Sequence, residues 1–374
     1  MKKLCYVTTI SITIKAFFVE QLKFLSDHGY DVTVVCSPDA ALHEILGAGI
    51  RYVPMEIPRG ISVSGSWRAF RELKEFFRKE CFDLIQYSTP NAALYASVAA
   101  KQAGCCLRNY HLMGFRYLGA TGMGHFILKN IERITCKYST SIECVSPSNL
   151  EIGIAERLFP RDKATVVWNG SSGGVDLKRF DWKQRQTYRS EIRRKYGLGD
   201  TFVYGFVGRI TKDKGVNEVL EAFAACNSGK LLIVGSPEGV ETLEQERYRE
   251  SLNNPDIIYT GSVDDVERYY AAMDVLLLPS YREGFGNVVI EAAAMGTPAI
   301  VSRIPGPIDT VIEGETALIV AAKDAAGLAK AMRSIQQPQY QQLGANAVKY
   351  VSSAFGSTEL NHYILERKKH LLGE

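Results

Sequence analysis

Asp274-Val275-Leu276-Leu277-Leu278-Pro279-Ser280-Tyr281-Arg282-Glu283-Gly284-Phe285-Gly286-Asn287-Val288-Val289-Ile290-Glu291 decides the architecture of this chain. Val275–Leu278 is an apolar run with the length of a strand buried on both faces, as in a parallel sheet. Asn287 reads as an N-cap, with a helix from about Val288. Glu283 therefore lies in a loop at the carboxyl end of a strand, the edge where open α/β sheets bind ligands. Glu291 falls near the start of a helix whose other residues are Val, Ile and Ala, so it is largely buried and needs hydrogen-bond donors. Sugar hydroxyls are suitable donors. Gly284 and Gly286 flank Phe285 and let bare backbone approach a ligand. The amides of Gly284 to Val288 then face phosphate or sugar oxygens. Two glutamates eight residues apart are common on solvated helices; the strand, glycine loop and apolar helix around them set this pair apart.

Outward from this stretch, strand-like and helix-like segments alternate. Strands are expected at 4–8, 31–36, 50–54, 84–88, 106–110, 141–145 and 165–168, with helices such as 16–25 and 67–80 between them. The pattern restarts at 202–207, with further strands at 231–234, 257–259, 275–278 and 299–302. Such alternation implies right-handed βαβ units and parallel sheets. The restart implies an α/β chain of two doubly wound, Rossmann-like domains, residues 1–175 and 176–356. The stretch 357–372 reads as one helix, and residues 357–374 are expected to pack back on the first domain. Between the domains, Asn169-Gly170-Ser171-Ser172-Gly173-Gly174-Val175-Asp176 reads as a hinge or a simple surface loop. Lys178–Lys195 is strongly basic and reads as a solvated helix face.

A length of 374 residues suits two domains. The net charge of +3 is too small for a nucleic-acid binder. It is unevenly spread: residues 1–176 hold 20 Lys/Arg against 16 Asp/Glu, and the remainder 24 against 25. A mildly basic first half suits an anionic membrane surface or a diphosphate-bearing acceptor, and ordinary scatter gives the same balance. No apolar run reaches the roughly 18 residues of a membrane span. Met1-Lys2-Lys3 opens like a signal peptide, but Thr8, Thr9, Ser11 and Thr13 break the apolar part, which reads as a first strand. The eight cysteines lack Cys-x-x-Cys spacing and read as buried thiols of a reducing cytoplasm, without disulfide framework or zinc site.

A second motif follows the first strand of the second domain: Gly208-Arg209-Ile210-Thr211-Lys212-Asp213-Lys214-Gly215. Gly208 permits a close turn, Arg209 can fork onto two phosphate oxygens, and Lys214 adds a point charge at a helix start. A diphosphate needs two such cations with no acid in first contact. Taken alone, the motif is also what two basic residues on a solvated loop look like. The order Gly-Lys-Ser/Thr of a Walker loop and the Gly-x-Gly-x-x-Gly of a dinucleotide fold are absent.

Gly208-Arg209 with Lys214-Gly215, Glu283-Gly284-Phe285-Gly286 with Glu291, and Gly296-Thr297-Pro298 together resemble a retaining glycosyltransferase of family 4. The resemblance implies the GT-B fold, two Rossmann-like domains with an interdomain cleft. Thr8-Thr9, Gly29-Tyr30-Asp31-Val32 and Asn169-Gly170 ahead of Val175-Asp176 resemble its capsule and exopolysaccharide branch, whose members extend glycans on a polyprenyl-diphosphate lipid. By this resemblance Arg209 and Lys214 hold the diphosphate of a nucleotide sugar, UDP-linked by preference, and Glu291 bonds the ribose. Glu283 contacts the transferred sugar, with the backbone of Gly284, Phe285, Gly286, Asn287 and Val288 around it. Ser236, Pro237, Ser262 and Val263 line the base pocket. Catalytic roles fall to Glu283, Arg209, Lys214 and His111.

Two departures stand out. Thr8-Thr9 replaces the Gly-Gly pair of many members, and Met113-Gly114 replaces their His-Gly, with His111 two residues earlier. The glycine-rich loop Met113–Gly124 is expected to cover the acceptor or to be an ordinary mobile loop. The nucleotide sugar is a substrate, so no cofactor is expected. No Asp-x-Asp motif occurs, so no metal is expected either. Expected partners are the donor, a glycan or lipid-linked acceptor and an anionic membrane; the basic helix Trp67–Lys79 reads first as packing its apolar face on its own sheet, with a peripheral membrane helix as the alternative. The expected location is the cytoplasm, up to the inner face of the plasma membrane. Competing functions are a nucleotide-sugar epimerase of the same architecture and a non-catalytic nucleotide-sugar-binding subunit.

Overall fold

Near-continuous Val, Ile and Leu in short runs produce strands covered on both faces, and the runs fall into two separate sheets. The computed structural model of the chain describes residues 1–60 and 63–374. It divides into two compact units, Met1–Gly173 with Thr358–Glu374, and Gly174–Ser357.

Among the described residues, the first unit carries β1 (Lys3–Val7), β2 (Asp31–Cys36), β3 (Ile50–Pro54), β4 (Leu84–Tyr87), β5 (Leu107–Leu112), β6 (Ser141–Cys144) and β7 (Ala164–Val166). They form one parallel sheet in the order β3-β2-β1-β4-β5-β6-β7. The second unit carries β8 (Val203–Val207), β9 (Lys230–Val234), β10 (Ile257–Gly261), β11 (Val275–Leu278), β12 (Ala299–Ser302) and β13 (Ala317–Val320). Their order is β10-β9-β8-β11-β12-β13, again parallel. Each sheet is doubly wound: strand order runs one way, returns to the first strand and then runs the other way. The reversals lie between β1 and β4, and between β8 and β11. Ligands of open α/β sheets bind at the carboxyl ends of such reversal points. Of the strands there, β11 is buried throughout, with all of Val275–Leu278 at most 1% exposed.

Several expectations require correction. The expected helix 16–25 is two helices, Ser11–Phe17 and Val19–Asp27. Phe18 breaks them at φ −121° because its ring is fully buried, edge-on to Tyr6 and His111. The short edge strand β13 gave no sequence signal beyond four apolar residues after Gly314-Glu315-Thr316. The residues 169–174 are not a loose linker. Ser171 and Ser172 are buried, the Ser171 amide donates to Val145 O at 2.7 Å, and Val175 exchanges backbone hydrogen bonds with Phe355 and Ser357 at 2.8 and 2.9 Å. Nor is Lys178–Lys195 a solvated face. Its helical part, Arg185–Lys195, turns Arg189 and Arg193 onto Asp274 at 2.7 and 2.6 Å. Arg185 donates to Thr297 Oγ1 at 2.7 Å and to Met273 O at 3.0 Å. Asp274 also accepts the Val203 amide at 2.7 Å, so these arginines clamp the starts of β8 and β11 at the edge opposite the glycine loops. Two of the eight cysteines, Cys81 and Cys106, are exposed and six are buried, all as free thiols.

The last helix, Ser357–Leu372, is tied to the first sheet by a buried ionic network. Lys368 is fully buried, and its ammonium donates to Gln86 Oε1 at 2.6 Å and to both Glu143 oxygens at 2.9 and 3.0 Å. Burial alone would raise the Glu143 carboxyl, but Lys368 and His111 hold it well below the usual carboxylate range. Removing one member of such a pair leaves a buried uncompensated charge, at a cost of about 3–5 kcal/mol. Lys368→Met is therefore expected to destabilise the chain by about that amount at neutral pH, read by denaturant unfolding. Glu143 is depressed in the folded state, so its contribution is present above the ordinary carboxylate pKa of about 4.3 and is lost as pH falls through the lower folded value. The gap between wild type and variant should accordingly narrow on acidification.

Candidate active site

The loops leaving β8 and β11 are drawn together at the reversal point of the second sheet. Gly215, at φ +77°, makes this approach possible: a β-carbon there would stand 2.2 Å from the Pro279 carbonyl oxygen. The Tyr281 amide donates to Asp213 O at 2.9 Å, fixing one loop to the other. Lys214 Nζ then reaches Glu283 Oε1 at 2.6 Å, and the Ser280 hydroxyl donates to the same oxygen at 2.9 Å. The pair is mostly shielded, with 22% and 13% of the two side chains exposed.

Arg209 leaves Gly208 as an exposed side chain and stands 4.0 Å from Asp213. The sequence reading placed no acid in first contact with the cations; that is corrected, since Asp213 meets Arg209 and Glu283 meets Lys214. Burial pushes Asp213 up, but the Thr211 hydroxyl and the cations of Arg282, Arg209 and Lys214 more than offset this and lower its pKa. Arg282, 3.2 Å from Asp213, is a third cation at this edge that sequence reasoning left out, although it directly precedes Glu283.

On the other side, the helix Asn287–Ala294 begins one residue earlier than expected, with Gly286 at φ +102° as its N-cap and no side-chain cap. The N-cap residue thus adds no side chain over the helix start beside Gly284 and Phe285, a geometry suited to oxyanions. Phe285 itself is buried against Phe355, ring centroids 5.4 Å apart, and anchors the loop. Val288 follows in the first turn. Glu291, one turn further on, accepts the Tyr270 hydroxyl at 2.8 Å. Burial raises the Glu291 pKa, an effect the Tyr270 hydroxyl and the Arg179 guanidinium counter. Tyr270 lies in the helix Val266–Ala272 and Arg179 in the basic run. Neither could be assigned from sequence, because only the fold brings them to this carboxylate.

The remaining expected residues lie along the same carboxyl edge. Gly208, Gly235 and Gly261 end β8, β9 and β10 side by side: the Gly208 amide donates to Val234 O and the Gly235 amide to Gly261 O, both at 2.9 Å. Ser236 and Pro237 follow β9, and its Ser236 carbonyl accepts the Ile210 amide at 2.9 Å. Ser262 and Val263 follow the outer strand β10, two strands from β8.

His111 stands apart from this row. It lies in β5 of the first unit, 6% exposed, with Nε2 3.1 Å from Ser172 Oγ and Nδ1 3.9 Å from Glu143 Oε2. Its ring meets the edge of Phe18 at 5.3 Å. Ser172 thus meets Nε2, whereas Nδ1 has no hydrogen-bond partner among the described residues. Where Thr8-Thr9 replaces two glycines, the Thr9 amide donates to Thr89 Oγ1 at 3.1 Å and the two hydroxyls lie 2.7 Å apart. Thr89 takes φ +66°, a strained value for a β-branched residue.

Residues 188–350 match the family described as glycosyl transferases group 1, and residues 16–173 match Glycosyltransferase Family 4. The capsular polysaccharide biosynthesis glycosyltransferase CapM of Staphylococcus aureus is 31% identical over 364 residues, covering 95% of this chain and 94% of CapM. An Escherichia coli UDP-Gal:alpha-D-GlcNAc-diphosphoundecaprenol alpha-1,3-galactosyltransferase is 26% identical over 301 residues, 77% of this chain and 75% of that protein. Among solved structures, Anabaena HepE in complex with UDP superposes with a TM-score of 0.78 at 19% identity, covering 99% of this chain and 100% of HepE. A glycosyltransferase from Rickettsia africae gives 0.80 at 19% identity, covering 99% and 98%. The two parallel sheets and these neighbours define a GT-B fold. The chain belongs to glycosyltransferase family 4, on its capsule-type branch, and is a glycosyltransferase.

Two glycines at this edge separate close approach from backbone strain. Gly261→Ala, at φ +74° with nothing within 4 Å of the new β-carbon, meets strain alone; Gly215→Ala adds the contact with Pro279. Urea unfolding should show Gly215→Ala as the more destabilising by more than about 1 kcal/mol.

Proposed function

We propose that this glycosyltransferase moves a hexosyl group from a UDP-sugar to a lipid-linked glycan in bacterial surface-polysaccharide assembly, with retention of anomeric configuration. The observation that carries the reading is the Lys214–Glu283 pair at the reversal point, beside a helix start without a side-chain cap. CapM supports the polysaccharide role, the undecaprenol-linked galactosyltransferase the acceptor class, and HepE with UDP the nucleotide.

Breaking the bond between sugar and diphosphate builds positive charge on the ring and negative charge on the leaving group. Lys214 and Arg209, with the amides from Gly284 to Val288, stabilise that negative charge. For this they must exchange an acid partner for phosphate, Lys214 leaving part of its contact with Glu283 and Arg209 its looser one with Asp213. Glu283 then turns to the hydroxyls of the transferred sugar. Glu291, held by Tyr270, accepts from the ribose hydroxyls, and Ser236, Pro237, Ser262 and Val263 flank the base. With Glu283 occupied by a cation and hydroxyls, the acceptor attacks from the face the diphosphate leaves. Its proton passes to a leaving phosphate oxygen. The chain's own cations supply the charge that a divalent ion would otherwise provide.

Lys214→Ala should lower turnover by about a hundred- to a thousandfold, as expected on loss of an electrostatic stabiliser, with an unchanged circular dichroism spectrum. Turnover within a fewfold of wild type would remove Lys214 from the site. Tyr270→Phe should narrow the preference for UDP over 2′-deoxy-UDP in calorimetric titration, because Glu291 loses the hydroxyl that aims it. A general loosening of the fold would weaken both ligands alike and leave the ratio unchanged. Incubation with UDP-sugars, with and without a glycosyl-diphosphate lipid, tests the reaction itself: transfer only in the presence of acceptor supports it, and conversion of the donor sugar to its epimer would contradict it.

A further inference from the structure

Three of the eight cysteines meet at one place outside the donor site. Cys81, Cys105 and Cys106 line an open cavity of about 390 Å³, together with Lys2, Arg78 and Asp83. It lies at the amino edge of the first sheet, opposite the edge that serves ligands. Cys81 comes three residues before Leu84 of β4, and Cys105 and Cys106 come two and one before Leu107 of β5. Leu84 and Leu107 are register partners, so the two turns enter neighbouring strands, about 4.8 Å apart, side by side. Burial raises the Cys105 pKa, Arg108 opposes this, and Cys106 and Cys81 add to it, as only nearby groups do.

Packing does not ask for cysteine at two of these positions, since Cys81 and Cys106 are exposed. Cys105 is 8% exposed and forms the inner wall. The helix Val63–Glu80 ends on Cys81, whose amide donates to Phe77 O at 3.1 Å. Cys81 takes φ +53°, the left-handed region in which glycine or asparagine usually closes a helix. Its thiol is held by one weak contact, with Arg78 O at 3.3 Å. The charged groups of the cavity have partners of their own: Lys2 meets Asp83 at 3.4 Å, and Arg78 donates to Gln102 O at 3.3 Å. Among the described residues no three His, Cys, Asp or Glu side chains are placed to hold a metal ion, which leaves the chemistry of the thiols themselves. A solvent-exposed thiol with a second thiol beside it is the arrangement in which oxidation ends in a disulfide.

We propose that Cys81, Cys105 and Cys106 form a reversible oxidation site, at which hydrogen peroxide joins Cys81 to Cys105 or to its neighbour Cys106. The peroxide O–O bond breaks as the Cys81 sulfur takes one oxygen, giving Cys81 sulfenic acid and a water. The thiol of Cys105 or Cys106 then attacks that sulfur. The S–S bond forms, and the hydroxyl leaves with the thiol proton as a second water. Two electrons from the two sulfurs thus reduce one peroxide to two waters. The bridge ties the end of Val63–Glu80 to the entrance of β5 and encloses β4 and the helix Pro90–Ala103. The inference stands on this edge of the first unit and not on the donor site, so the two can fail separately. The test treats the reduced full chain with hydrogen peroxide, counts free thiols after denaturation and maps bridged peptides by mass spectrometry. Wild type should lose two of its eight free thiols, with the Cys81 peptide joined to the peptide that carries Cys105 and Cys106, and dithiothreitol should restore all eight. Cys81→Ser and Cys105→Ser/Cys106→Ser should each form no such bridge. Unchanged melting temperature and UDP affinity would show that both variants fold, and Cys81→Ser, at an exposed position, decides if the double variant does not. Wild type keeping all eight thiols would overturn the proposal. So would their loss to sulfinic acid or to bridges between chains with Cys81 joined to neither partner, or an equal loss of two thiols in Cys81→Ser.

Discussion

The site depends on one ion pair, Lys214 to Glu283 at 2.6 Å, which joins the loops of two neighbouring parallel strands. Half-buried charges are costly to hold without partners, and each here supplies the other's. The surroundings make the approach possible rather than the reverse. Gly215 lets one loop touch Pro279, the Tyr281 amide grips Asp213 O, and Ser280 adds a second donor to the glutamate. A positive charge is thus fixed at the sheet's reversal point before any anionic substrate arrives. Once a diphosphate has taken the place of the carboxylate the cation is already in position, and little rearrangement remains for the reaction step.

The same pairing carries a cost that sequence reasoning did not foresee. Glu283 and Asp213 compete with a diphosphate for Lys214 and Arg209. Competition of this sort is reversible and favours an occupant with more charge than one carboxylate, such as a doubly charged diphosphate. The first unit shows the opposite design. Lys368, Glu143 and Gln86 pair with one another in a buried network, with His111 and Ser172 beside it, which suits holding a terminal helix in place.

Much of the architecture was legible because it rests on local signals. Buried parallel strands read as short apolar runs, and Val275–Leu278, Asp31–Cys36 and Ala299–Ser302 have the limits their composition suggests. The glycine loops after β8 and β11 were visible for the same reason, since close backbone approach demands residues without a β-carbon. Illegible features arise from long-range packing. Phe18 splits a helix because its ring is needed in the core, and nothing nearby in sequence says so. Arg185, Arg189 and Arg193 have the helical spacing of a solvated stripe, and partners some 80 or more residues away turn them inward, Asp274 for Arg189 and Arg193, and Met273 and Thr297 for Arg185. Tyr270 reaches Glu291 across 21 residues, and a tyrosine in an apolar helix gives no hint that its hydroxyl aims a carboxylate.

The most direct measurement is a crystal structure of the chain with UDP. The account predicts the diphosphate within hydrogen-bond distance of Lys214 Nζ and the Arg209 guanidinium, its outer oxygens on the amides at the start of Asn287–Ala294, and the ribose hydroxyls on Glu291. UDP bound elsewhere, or at this edge with Lys214 still closed on Glu283 and Glu291 away from the ribose, would contradict it.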